Sequence, residues 1–347
     1  MFGLGPLPRT LAAALRDARH QKLQVRLSAL GDLSRFAQSG DAQARSELSR
    51  ALIEDTADDV RARAAMALAD ADVRSAIEPL LASAARDQST RVRQLAVLAL
   101  GELADSADSR VASLLSEVRR DRQAPIRFQG LLALHQLALS EAEPAIIEAM
   151  TDPDAEVRRL AYRLTEAQFA DRALPEIAQA RARAALTDSA PGVQVAAALA
   201  LGRFGDASGE GIIVAVIAGR QRGATFEDQQ AAIDLAARLP LERSLLWLER
   251  RAFSLFGRDA LAFDARIALA RLGHSRAKSE ILRGLGGLSF RARTLAAEAA
   301  GRAGLSDARS ALEALRQSPS RADTEVVERA LARIDGHEPP EPSWETG

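Results

Sequence analysis

Hydrophobic positions along this chain recur in one frame. Val60, Ala64, Ala67, Leu68 and Ala71 are followed in the same spacing by Val92, Ala96, Ala99, Leu100 and Leu103. Offsets of 0, 4, 7, 8 and 11 lie on one face of a helix, so each copy predicts an amphipathic α-helix. Further copies start at Val25, Ile126, Val157 and Val193, and looser ones at Asp228, Leu261, Ala292 and Asp323. The mean spacing of about 33 residues is that of repeat architectures. Upstream of each copy runs a second apolar-striped segment, for example Ala76–Leu81, Val111–Leu115 and Ala145–Met150. Turn residues separate the two: Asp55 and Asp58, Asp87 and Ser89, Asp121, Asp152-Pro153-Asp154, Asp188 to Gly192. An Asp at that boundary is placed to cap the second helix. Each unit therefore reads helix, turn, helix. One such pair cannot bury its own apolar stripe, so the pairs must stack.

Composition narrows this further. The 347 residues are 47% hydrophobic but only 4% aromatic, so the core is built from Ala and Leu, which favours helix over strand. Without cysteine, disulfides, thiol nucleophiles and Cys-ligated metals are excluded. His20, His135, His274 and His337 are scattered, so no metal is expected, and no feature calls for a cofactor. No run of about 20 apolar residues is present to span a bilayer, and no signal-peptide pattern opens the chain, so a cytoplasmic protein is expected. The net charge of −1 argues against a chain that coats nucleic acid. No Ser-His-Asp order, phosphate loop or H-E-x-x-H pattern occurs, and Gly284-Leu285-Gly286-Gly287 reads as a helix end.

The motif Asp152-Pro153-Asp154-Ala155-Glu156-Val157-Arg158, with Asp87 before Val92-Arg93 and Leu100-Gly101-Glu102-Leu103, resembles HEAT repeats in their short, PBS-lyase-type form. The resemblance covers roughly residues 22–334 and weakens after Val193, where the Val-Arg pair is lost. It implies an all-α, right-handed, curved α-solenoid of about ten helix pairs with second helices on the concave face. Residues 1–21 then form an N-terminal capping helix, 225–263 a possible irregular junction, and 335–347 a disordered acidic tail. The resemblance also implies that Arg26, Arg61, Arg93, Arg127 and Arg158 pair with turn acids, Asp55 or Asp58, Asp87, Asp121 and Asp152, in a structural ladder. A phosphate-binding stripe is the competing reading of that column.

A second column holds Arg203, Arg238, Arg271, Arg302 and Arg333, five arginines in five successive copies. Residues 171–334 carry 24 basic against 19 acidic side chains. These arginines, with Phe128 and Tyr162 on second helices, are the expected contacts for a protein partner. Five of the chain's 13 aromatics, Phe226, Trp247, Phe253, Phe256 and Phe263, gather in the irregular window as extra core or as a partner patch. The function that follows is a non-catalytic scaffold or adaptor binding a protein along the concave surface. The alternatives that the resemblance brings are a DNA glycosylase-like nucleic-acid binder and a bilin lyase-like or chaperone protein. Iron-dependent relatives use several His-Glu pairs, and here only His337-Glu338 occurs.

Overall fold

The computed structural model describes residues 9–239, 241–254 and 259–337. Phe256 and the acidic tail from Glu338, including Trp344, lie outside the described residues. Two compact units divide the chain, Met1–Arg181 and Ala182–Gly347. The described residues hold twenty α-helices and no strand.

In the first unit the pairs are α1 (Leu11–Asp17) with α2 (Leu23–Gln38), α3 (Ala42–Glu54) with α4 (Asp58–Asp70), and α5 (Ile77–Arg86) with α6 (Thr90–Leu103). They continue with α7 (Ser109–Val118) and α8 (Ala124–Gln136), then α9 (Ala142–Ala149) and α10 (Ala155–Gln168). Helix α11 (Glu176–Ala184) follows. The second unit holds α12 (Pro191–Arg203), α13 (Glu210–Ile217) with α14 (Phe226–Ala236), α15 (Leu245–Ala252) with α16 (Ala262–Arg271), α17 (Ser275–Leu285) with α18 (Phe290–Ala303), and α19 (Arg309–Arg316) with α20 (Thr324–Ile334). Within each unit a first helix packs on its own second helix, and the second helices lie directly side by side.

The frame explains this packing. Val60, Ala64, Ala67, Leu68 and Ala71 are all buried, as are Val92, Ala96, Ala99, Leu100 and Leu103. Small residues at the contact let neighbouring second helices approach to backbone distance. A Cβ on Gly301 would stand 2.5 Å from Ala330 Cα, and one on Gly101 would stand 2.9 Å from Gln136 Oε1. The looser copies depart from the frame for identifiable reasons. Asp228, at the position of the leading Val, is buried in a capping box with Thr225: its carboxylate accepts the Thr225 N–H at 2.9 Å and the Thr225 hydroxyl accepts its N–H at 3.2 Å. Leu272 and Ala292 sit at frame positions yet are exposed.

The turn aspartates do something other than cap. The N-caps of α4, α6, α8 and α12 are Ala57, Ser89, Gln123 and Ala190, none of which makes a side-chain cap bond. Instead Asp55, Asp87, Asp121 and Asp188 each accept the N–H of that N-cap residue, two positions on, at 2.8–2.9 Å. This is an Asx turn, which fixes the direction in which the chain enters the second helix. Asp154 is a true cap, accepting from Glu156 and Val157.

Candidate functional site

The Asx turns also serve the first arginine column. In the first unit Arg26 meets Asp55 at 2.9 Å, Arg61 meets Asp87 at 2.7 Å, Arg127 meets Asp152 at 2.6 Å, and Arg93 is paired with Asp121. Arg61 and Arg127 also donate to carbonyls of their own turns, Asp55 and Asp121, each at 2.9 Å. Arg158 donates to the carbonyls of Asp152 at 2.7 Å and Pro153 at 3.1 Å. Arg61 and Arg127 thus hold their own turn through the backbone and the next turn through a side chain, while Arg93 reaches the Ala84 carbonyl near the end of α5 at 3.1 Å. Burial pushes the Asp87 carboxyl up, but the two bonds from Arg61 and the Ser89 N–H bring it below the ordinary carboxylate range. In the second unit Gln194 stands in the same column and donates to the Asp188 carbonyl at 2.7 Å.

The second arginine column lies on the exposed face of the second helices of the second unit, and it is not a bare basic stripe. Arg271 of α16 pairs with Asp234 of α14 at 3.0 Å. Arg302 of α18 pairs with Asp264 of α16 at 2.9 Å. Arg333 of α20 pairs with Glu298 of α18 at 3.0 Å. Arg238, two residues past the end of α14, turns back to Asp234 of that helix at 2.9 Å. Arg203, Arg271 and Arg302 come together with Gln230, Asp234 and Asp264 around a groove of about 320 Å³. Asp234 and Glu298 stand four residues before their own copy's column arginine and Asp264 seven, about one and two helical turns, and the neighbouring second helix brings opposite charges level. A phosphate backbone laid along this face would meet Asp234, Asp264 and Glu298 among the five arginines.

Of the two aromatic candidates, Phe128 is half-buried on α8. Tyr162 is not at a binding surface. It is 2% exposed, and its hydroxyl donates toward the carbonyls of Met150 at 3.3 Å and Arg181 at 3.1 Å. Its column position, five residues after the leading Val, is held elsewhere by the buried Leu30, Ala65, Val97, Leu131 and Ile233. Through Ile233 that column is core and apolar, whereas later copies carry Arg266 and the exposed Glu328 there.

The aromatic window divides. Phe253 and Phe263 pack against the core of the second unit, while Phe226 is 46% exposed. Trp247, half-buried on α15, carries two guanidinium groups over its ring: Arg220 at 4.3 Å and Arg250 at 4.6 Å from the centroid. Arg276 stacks on Phe253 at 3.8 Å. Three of the four histidines make side-chain bonds: His20 Nδ1 accepts the Lys22 N–H, His135 meets Gln168, and His274 caps α17 and reaches Glu249. Among the described residues no group of three His, Cys, Asp or Glu could hold a metal ion, and no helix is long and apolar enough to cross a membrane.

Comparison with known proteins places the fold. A family model described as HEAT repeats matches residues 8–101 and 45–135. No curated protein matches. Among known structures, the chain is similar to a chain in a homology model of the full-length AP-3 complex in an intermediate open conformation, with 13% identity and a TM-score of 0.54 over 88% of this chain and 59% of that one. It is similar to Kap95p bound to RanGDP, with 14% identity and a TM-score of 0.50 over 93% of this chain and 50% of that one. The complex of CpcE and CpcF of phycocyanin lyase from Nostoc sp. PCC7120 matches at 17% identity and a TM-score of 0.42, over 72% of this chain and 97% of that one. At such identities only the fold is shared, an all-α stack of helix pairs, and the last match carries no argument.

Proposed function

From a chain that carries HEAT repeats, we propose a scaffold or adaptor without catalytic activity, which binds a protein partner along the exposed face of its second helices. The observation that supports this reading is the cross-helix pairing of Arg271, Arg302 and Arg333 with Asp234, Asp264 and Glu298. Held by these pairs on rigid helices, the side chains lose little freedom when a partner docks, so less of the interaction is spent on ordering the receptor. A partner meets alternating charge in a fixed register. That arrangement selects a complementary surface and disfavours a uniformly charged one. Arg203, Arg238, Arg271, Arg302 and Arg333 remain the proposed contacts, now together with their acids, and Phe128 is the proposed contact on the first unit.

The test is affinity purification with quantitative mass spectrometry from the native host. Proteins retained by the wild-type chain are compared with those retained by an Arg271→Glu/Arg302→Glu variant of unchanged helicity. At least a tenfold loss of a specific protein is the expected outcome. Identical retention of every protein would refute the role of this face.

A further inference from the structure

We propose that the exposed face of α15, with Arg220 beside it, is a second and separate docking surface, whose occupant is an acidic peptide segment carrying apolar anchors. It is independent of the second-helix face, being built on a first helix and the turn after α13.

Residues 243, 246, 247 and 250 recur at helical spacing and share one side of α15 and the turn before it. They are Arg243, Leu246, Trp247 and Arg250, and Leu245 flanks them. Leu246 is 53% exposed, Leu245 is exposed, and Arg220, Arg222, Arg243 and Arg250 are all exposed. Most arginines of this molecule are paired with acids, as both ladders show. Arg220, Arg222, Arg243 and Arg250 have no carboxylate partner among the described residues. The nearest acid of the helix with a described bond, Glu249, is turned to His274 at 3.1 Å. Two of these cations instead share the indole of Trp247. The ring holds each guanidinium by its face quadrupole, but two like charges over one ring repel, and a carboxylate between them relieves that repulsion. Among the described residues the site is thus pre-organised and short of negative charge, with two leucines exposed at its edge.

The leucines decide the class of occupant. A phosphate backbone would satisfy the cations and leave Leu245 and Leu246 exposed, and the Trp247 face is already occupied by guanidinium, so bases have little of the ring to stack on. An eight-residue helix with two exposed leucines is small for insertion into a lipid surface. An acidic peptide with apolar side chains uses both halves. Its carboxylates reach Arg220 and Arg250, and its apolar residues cover Leu245, Leu246 and the edge of Trp247, the pattern of an aromatic and arginine hot spot.

The test is fluorescence anisotropy on the full chain, using a fluorescein-labelled peptide in which Glu residues flank a Leu-Phe-Leu core. The same peptide with Gln for Glu, an oligothymidine strand and phosphatidylserine vesicles serve as competitors. The expected result is saturable binding that weakens at least tenfold in an Arg220→Glu/Arg250→Glu variant, at least tenfold in Leu246→Asp, and at least tenfold for the Gln peptide. In a Trp344→Phe background the remaining Trp247 emission changes on binding. All three altered side chains are exposed, and circular dichroism checks that each variant keeps the wild-type melting curve. Unchanged affinity in either variant overturns the proposal, and so does oligothymidine or vesicle binding tighter than that of the peptide. The second-helix variant Arg271→Glu/Arg302→Glu retains peptide binding, which separates this surface from the one proposed above.

Discussion

Removing one carboxylate from the first ladder is a direct probe of how this molecule is held together. Asp87 accepts from Arg61 Nε at 2.7 Å and from Nη2 at 2.9 Å, and also accepts the Ser89 N–H at 2.8 Å. The Arg61 side chain is 15% exposed and that of Asp87 8%. A solvent-exposed pair contributes about 0–1 kcal/mol, whereas removing one partner of a buried pair costs about 3–5 kcal/mol because a charge is stranded. This pair stands between those limits. Asp87→Ala strands Arg61 and leaves the Ser89 N–H without its acceptor, for an expected loss of about 2–3 kcal/mol. Arg61→Ala removes the cation but leaves Asp87 bonded to the turn, for about 1–2 kcal/mol. The double variant strands no guanidinium, so its cost should fall below the sum of the two by about 1 kcal/mol or more. Urea denaturation followed by far-ultraviolet circular dichroism measures this, provided the denaturant slope is unchanged among variants. Amide exchange over residues 55–103 locates the loss. If the two single costs add to within about 0.3 kcal/mol, the rungs do not couple neighbouring turns, and the ladder is decoration on a stack held by its apolar face alone.

Three further outcomes follow from the same geometry. Gly301→Ala gains about 1 kcal/mol of helix propensity, but its Cβ meets the Ala330 backbone at 2.5 Å, so net destabilisation of about 1–3 kcal/mol is expected in thermal melts, and a neutral result would show that α18 and α20 can part freely. Tyr162→Phe removes a buried hydroxyl from the Met150 and Arg181 carbonyls and should cost about 1 kcal/mol in urea midpoints, while a surface role predicts no change. Burial pushes Glu47 up, yet bonds from Arg19 and Arg50 leave it below its ordinary value, as bonds from Arg9 and Arg35 do for the partly buried Asp32. Depressed folded-state values mean that their stabilisation is complete above the unfolded carboxylate range near pH 4 and drains away as pH falls below it. Urea midpoints should therefore hold from pH 7 to 5 and drop below about 4, with a shallower drop in Glu47→Gln.

The fold was legible because one apolar frame recurs through the copies from Val25 to Val193 and persists more loosely beyond them, and small residues at its inner offsets suit close helix packing. The arginine column opposite Asp55, Asp87, Asp121 and Asp152 was legible for a similar reason, since charge recurs there at the repeat spacing. Tyr162 fails as a surface contact because its offset, shared with Leu30, Val97 and Leu131, faces the core rather than the exposed side of the second helix. The second arginine column is basic in the linear sequence, where arginine recurs at one offset in five successive copies. Read across neighbouring helices, Asp234, Asp264 and Glu298 stand beside it. The Trp247 stack was out of reach of any repeat reading, because Arg220 comes from the turn after α13 and only packing brings it to α15.

In the first unit the rungs from Arg26, Arg61, Arg93 and Arg127 each span a single junction, and no side chain reaches past its immediate neighbour along this row. Tension along the row would consequently load the rungs in series. The weakest junction would open first and shed the force, leaving the others intact. Stretched in an optical trap, the first unit would lengthen in steps the size of one helix pair rather than in a single rupture, and close again in the same increments when slackened.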